Sequence, residues 1–189
     1  MKRIAIFASG NGSNAQGIVE YFSGNKEVEI NLVLTNNSSA GVLKRAAALG
    51  IEAVIFNKSD FVENAKVHNL LQDHKIDFIV LAGFLWLIPS FLIDNYPDRI
   101  VNIHPALLPK YGGKGMYGMR VHESVIANGE KQSGISIHYV NKKYDEGQII
   151  FQATVDIEEG ETAGNLADKI HGLEYEHFPK TIEKVLKNI

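Results

Sequence analysis

Asn102 and His104 stand two positions apart at the end of the short apolar run Ile100-Val101-Asn102-Ile103. In an extended strand residues i and i+2 share a face, so both side chains can act on one atom. An amide offers a neutral hydrogen bond and an imidazole a charged one, the combination that stabilises an oxyanion during acyl transfer. The same pair could instead satisfy buried backbone groups, and residue types alone do not decide between the two. Pro105, Pro109 and a glycine-rich stretch follow, which puts the pair at the mouth of a cleft. Asp145 lies in the turn Lys142 to Gly147, from which it could hold the imidazole and raise its pKa, although an aspartate in a turn is also an ordinary turn residue.

A second group of residues is suited to an anion. Ala8-Ser9-Gly10-Asn11-Gly12-Ser13-Asn14-Ala15 follows an apolar strand, opens a helix and matches G-x-G-x-x-A. Backbone N–H groups at such a helix N-terminus cradle phosphate, and Ser13 and Asn14 add a hydroxyl and an amide. A tight turn that merely needs glycine is the alternative. A nicotinamide site would also carry an acidic residue after the second strand, where this chain has Thr35-Asn36-Asn37-Ser38-Ser39, so a terminal monophosphate fits better than NAD.

The elements that must position these groups alternate between strand and helix. Ile4 to Ala8 and Ile30 to Leu34 read as strands buried on both faces. Ala40 to Leu49 reads as a helix ended by Gly50, and Ala53 to Phe56 as a third strand. Ser59-Asp60 is expected to cap a third helix carrying Phe61, Ala65, Leu70 and Leu71, ahead of the strand Ile76 to Ala82. Beyond Pro105 to Met119, an irregular loop, come a helix over Arg120 to Asn128 and two antiparallel strands, Gly134 to Val140 and Gln148 to Ile157. A last helix from Thr162 presents Ala163, Leu166, Ala167, Ile170 and Leu173 before Pro179 kinks or breaks it. The expected class is α/β: a Rossmann-like, mostly parallel sheet with helices on both faces and an antiparallel C-terminal strand pair. Residues 1–189 form a single domain with one half to about residue 100 and a second from about 101.

Composition narrows the ligands. Of 189 residues, 45% are apolar and 22% charged, enough for a sizeable core, and the net charge of −3 gives no reason to expect nucleic acid or membrane as partner. The absence of cysteine removes a thiol nucleophile, a disulfide framework and cysteine-ligated metal. The longest apolar run, Phe78 to Pro89, falls short of the roughly twenty residues that span a bilayer, and Met1-Lys2-Arg3 leads into a strand without a cleavage region. A soluble, cytoplasmic protein acting on small solutes is expected.

Asn102-Ile103-His104-Pro105-Ala106-Leu107-Leu108-Pro109 resembles the signature of folate-dependent formyltransferases, and Tyr144-Asp145-Glu146-Gly147 is similar to their aspartate loop. With Ser9 to Asn14, the chain resembles the phosphoribosylglycinamide formyltransferase family over essentially its whole length. That resemblance implies transfer of the formyl group of 10-formyltetrahydrofolate, a co-substrate, to the amine of glycinamide ribonucleotide in purine biosynthesis, with no metal and no nicotinamide. It implies Asn102, His104 and Asp145 as catalytic residues, Gly12, Ser13 and Asn14 on the substrate phosphate, and Glu174 with His171 on the ribose. Folate is implied to lie on Leu85, Trp86 and Leu87, facing Val140, Asn141 and Tyr144. Trp86 replaces an arginine of some members, and Lys110 to Arg120 is longer than the common version, a difference on which the chemistry is expected not to depend.

Two relatives of the same chemistry are weighed against this reading. A formyltetrahydrofolate hydrolase would carry a regulatory domain for which the residues before Lys2 leave no room, and methionyl-tRNA formyltransferase would add a basic C-terminal domain. A nucleotide-sensing domain without catalysis would leave Asn102, His104 and Asp145 without purpose. Monomer and homodimer are both compatible with the sequence.

Overall fold

Strand β1 (Lys2–Phe7) is the axis of the first half of the chain, because Ile4, Ala5, Ile6, Phe7 and the following Ala8 expose no surface at all. It pairs in parallel with β2 (Val28–Thr35) on one side and β4 (Phe78–Leu81) on the other. Strand β3 (Glu52–Ile55) extends the sheet beyond β2. The helices between them are α1 (Ser13–Tyr21), α2 (Gly41–Ala48), α3 (Lys58–Val62) and α4 (Lys66–Asp73). The computed structural model describes residues 1–63 and 66–189, so Ala65, expected on the third helix, lies outside the described residues.

The strand order is β3-β2-β1-β4-β5-β6-β7, with β5 at Ile100–His104, β6 at Gln132–Tyr139 and β7 at Ile149–Asp156. The chain steps from β1 outward to β2 and β3 and then returns to the far side of β1, so with right-handed crossovers the helices of the two directions cover opposite faces. Reversal of direction between β1 and β4 makes a topological switch point, the place where such sheets bind ligands at the carboxyl ends of their strands. The glycine loop follows β1 and the Gly83–Leu87 segment follows β4, so both lie there.

Two compact units divide at Val101/Asn102. In the second, β6 and β7 pair antiparallel as expected, and Gly134 lies so close to β7 that a Cβ would meet the Ala153 carbonyl at 1.9 Å. Helices α6 (Met119–Ala127) and α7 (Ala163–Leu186) belong to this unit.

Three local expectations are corrected. The cap of α3 is Asn57, whose side chain accepts from the Asp60 N–H while Asp60 answers at the Asn57 N–H, so Asp60 completes a capping box and is not itself the cap. Helix α5 (Ser90–Asn95), begun at Pro89, was not expected. Pro179 neither ends nor breaks α7: its missing N–H interrupts the ladder, but buried Phe178, Ile182, Val185 and Leu186 hold the turns on both sides. Gly50 does take the left-handed position after α2, at φ +69°. No helix among the described residues is long and apolar enough to cross a membrane.

His122 of α6 is 3% exposed, and its Nδ1 has no hydrogen-bond partner among the described residues. Burial, then the charges of His171 and His104, push its pKa down to about 4. The folded chain therefore refuses a proton that the unfolded chain accepts below the ordinary value of 6.5. Stability is complete above that pH and falls as the pH drops toward 4, by up to about 3 kcal/mol from this group. His122→Leu should flatten that acid limb in urea unfolding measured from pH 7 to 4; an unchanged limb would contradict the burial argument.

Candidate active site

Asn102 and His104 leave β5 on one face, as the period of two requires, and both reach Asp145. The Asn102 amide donates to Asp145 Oδ1 at 3.4 Å, and His104 Nδ1 lies 3.6 Å from Asp145 Oδ2. Asp145 thus sits beside both Asn102 and His104. Its backbone is left-handed, at φ +54°, and the turn is clamped by Asn141, whose amide donates to the Glu146 carbonyl and accepts from the Lys143 N–H. Gly147 seats that turn on β6, since a Cβ there would lie 1.6 Å from the Tyr139 carbonyl.

The loop Lys110 to Arg120 reaches this group through its main chain. His104 Nε2 donates to the Tyr111 carbonyl at 2.7 Å, and the Gly113 N–H donates to Asp145 Oδ2 at 2.9 Å. Gly112 permits this approach, because a Cβ would come within 2.5 Å of the Leu108 side chain and 3.2 Å of Asp145 Cβ. Tyr111 holds a left-handed φ of +57°, fixed by its hydroxyl, which donates to Glu130 and accepts from Asn128. The turn after β5 is pinned by Ser136, whose Oγ accepts from the Leu108 N–H and donates to the Ala106 carbonyl.

His138 completes the group, and the reading of motifs missed it. Its Nδ1 donates to the Tyr139 carbonyl at 2.8 Å, so its Nε2 is left to accept from the Asn102 amide at 3.0 Å. Nε2 is also 3.6 Å from Asp145 Oδ1, where a second proton on the ring would make it a donor. With Nδ2 facing both His138 and the carboxylate, the Asn102 amide has one orientation: its oxygen turned toward Asp145 would be repelled. The polar pair Ser136 and His138, two apart in a buried strand, is the sequence signal that could have found this residue.

Electrostatics modifies the expected role of Asp145. Burial is the largest influence on His104 and lowers its pKa; Asp145 and the Tyr111 carbonyl raise it, and the His138 charge lowers it, leaving it below the ordinary value of 6.5. Asp145 therefore opposes the lowering without reversing it. For Asp145 itself burial acts upward, but the His138 and His104 rings and the Gly113 N–H outweigh burial and hold the carboxyl below its ordinary range.

In the first unit, Gly12 caps α1 at φ +79°, with half-buried Ser13 and Asn14 as the first helical residues. A Cβ on Gly12 would meet Val42 of α2 at 2.5 Å, so the loop lies directly on that helix. Ser9, 7% exposed, ties this loop to the segment after β4: its N–H donates to the Gly83 carbonyl, and its Oγ accepts from the Leu85 N–H and donates to Asn36. Asn37 donates to the Ser9 carbonyl, so the residues that stand where an acidic ribose ligand would be in a dinucleotide site brace the loop instead. Leu85 and Leu87 are exposed, whereas Trp86 turns into a ring cluster with Phe56, Phe61 and Phe84 at 6.0 to 6.3 Å. Val140 and Tyr144 are half-buried near the aspartate turn. On α7, Glu174 is buried, where a helical glutamate is ordinarily solvated, and His171 is exposed and stacked on Tyr175.

Residues 2–182 match the family model for formyl transferases, and the chain belongs to that family. It is 40% identical over 187 residues to the chloroplastic phosphoribosylglycinamide formyltransferase of Arabidopsis thaliana, matching 96% of this chain and spanning 64% of the plant protein's length. The phosphoribosylglycinamide formyltransferase of Bacillus subtilis (strain 168) is 34% identical over 191 residues, 98% of this chain and 95% of that one. The crystal structure of glycinamide ribonucleotide transformylase 1 from Geobacillus kaustophilus has a TM-score of 0.89 to this chain at 34% identity, covering 98% and 99% of the two.

Since burial governs His104, its ring should titrate below 6.5 in a carbon-13 NMR titration of Cε1. Asp145→Asn removes the charge that raises it and should move the midpoint lower still; a wild-type midpoint at or above 6.5, or an upward move in the variant, would contradict the assignment.

Proposed function

We propose that the chain transfers the formyl group of 10-formyltetrahydrofolate to the amine of glycinamide ribonucleotide, giving formylglycinamide ribonucleotide and tetrahydrofolate. The observation that carries this reading is the Asp145 carboxylate joined to both Asn102 and His104 in a chain of the formyl transferase family. The names of the full-length relatives support the choice of acceptor. Gly12, Ser13 and Asn14 take the phosphate, Glu174 with His171 the ribose hydroxyls, and Leu85, Trp86, Leu87, Val140, Asn141 and Tyr144 the folate. We take the reaction to be cytoplasmic and the active form to be a monomer or homodimer, with no nucleic acid or membrane partner.

The amine lone pair attacks the formyl carbon, and the carbonyl π pair moves onto oxygen. Asn102 answers that charge with the N–H now held 3.4 Å from Asp145, the longer of its two bonds and the easier to release. His104 answers with a ring N–H, and the growing negative charge, with Asp145, favours the imidazolium that burial disfavours in the resting chain. The oxyanion then re-forms the carbonyl as the carbon–nitrogen bond to folate breaks. A water held by Asp145 carries the proton from the attacking nitrogen to the departing one, so atoms and charge balance without an added base.

Release of tetrahydrofolate should require glycinamide ribonucleotide; release at an equal rate without it would assign hydrolysis instead. Asn102→Ala should slow single turnover about a hundredfold to a thousandfold, or roughly 3 to 4 kcal/mol of barrier, with little change in affinity for either substrate. A variant that loses stability but keeps its chemical step would show that Asn102 serves only the fold.

A further inference from the structure

Arg45 reads in the sequence as a surface charge near the end of α2, yet it makes three hydrogen bonds to residues on both sides of Gly12. Its Nε donates to the Asn11 carbonyl at 2.9 Å and its Nη2 to Asn11 Oδ1 at 3.3 Å. Its Nη1 donates to Gln16 Oε1, in the first turn of α1, and Gln16 is kept in that orientation because its own amide donates to Glu20 at 2.7 Å. One planar guanidinium thus spans from the residue before the helix cap to the residue that makes the first helical bond, Gln16 N–H to the Gly12 carbonyl.

The rest of α2 closes on the same loop. The Val42 N–H donates to the Gly10 carbonyl at 3.2 Å, which satisfies an end group of a helix that has no side-chain cap. Gly41 approaches Asn11 so closely that a Cβ would come within 2.9 Å of its side-chain oxygen, and Gly12 is blocked by Val42. Loops that bind anions through main-chain N–H groups lose affinity when those groups move by a fraction of an ångström, so whatever holds Asn11 and Gln16 in place sets the site between them.

We infer that Arg45 is a positioning residue for the ribonucleotide phosphate: its fork fixes Asn11 and Gln16 and so sets the N–H groups of Gly12, Ser13 and Asn14. The inference rests on the reading of that loop as the phosphate site. Its action depends on fork geometry more than on charge, because a lysine ammonium has no planar fork with which to engage Asn11 and Gln16 together.

Steady-state kinetics of the full chain, with 10-formyltetrahydrofolate and either glycinamide ribonucleotide or its dephosphorylated nucleoside, test this. Wild-type protein should show a much lower KM for the phosphorylated acceptor; equal values would overturn the phosphate site itself, and the inference with it. Given that preference, Arg45→Ala should raise the ribonucleotide KM about tenfold or more while the nucleoside KM, the folate KM and kcat at saturation stay within about threefold. Arg45→Lys should recover less than half of the lost affinity on a logarithmic scale. An unchanged ribonucleotide KM in Arg45→Ala, whatever its melting temperature, would show that Arg45 serves only the fold, and full recovery in Arg45→Lys would replace positioning with simple charge attraction. Both of those results overturn the inference and leave the phosphate site standing.

Discussion

The Asp145 carboxylate faces four groups at once: the Gly113 N–H, the Asn102 amide and the rings of His104 and His138. A carboxylate largely withdrawn from water is costly unless its lone pairs are met, so each of these groups is constrained by the charge it must satisfy. The left-handed backbone at Asp145, the bare faces of Gly112 and Gly147, and the single orientation of the Asn102 amide all accompany bringing one anion that close to β5 and β6. His104 marks the balance of the arrangement. Asp145 invites a proton onto the ring and burial, the larger influence, refuses it.

A comparable economy governs the switch point in the first unit. Ser9 serves as a junction, with one N–H and one hydroxyl joining the glycine loop to the Gly83–Leu85 segment, and Asn36 and Asn37 behind it. A polar residue that is 7% exposed has to find partners, and here they are the Gly83 carbonyl and Leu85 N–H of the segment after β4 and the side chains of Asn36 and Asn37. Arg45 does for the outer side of the loop what Ser9 does for the inner side.

Much of this was legible in residue types because the relevant spacings are those of regular structure. Asn102 and His104 share a face by the period of two, and the strand and helix alternation was enough to define the sheet and its antiparallel pair. Glu174 sits on the row Leu166, Ile170, Phe178 and Ile182 at steps of four, so its burial could have been read from the same periodicity that placed its neighbours inside. The contributions of Tyr111 and Gly113 could not, since both act through main-chain atoms that every residue possesses. Nor could the direction of the His104 shift: a sequence names the aspartate that raises a pKa but is silent on how deeply the ring is buried. That the helix would not break at Pro179 was also hidden, because a proline's local penalty was weighed without the apolar turns that outlast it.

The central claim is that Asp145 organises the reacting groups without itself binding either substrate tightly. Single-turnover formyl transfer by Asp145→Asn, measured beside the dissociation constants of both substrates, tests it most directly. The isosteric amide keeps the shape of the turn while removing the charge that supports imidazolium His104. Turnover should fall by at least about a hundredfold with both dissociation constants within a few-fold of wild type. Near-normal turnover in that variant would contradict the account.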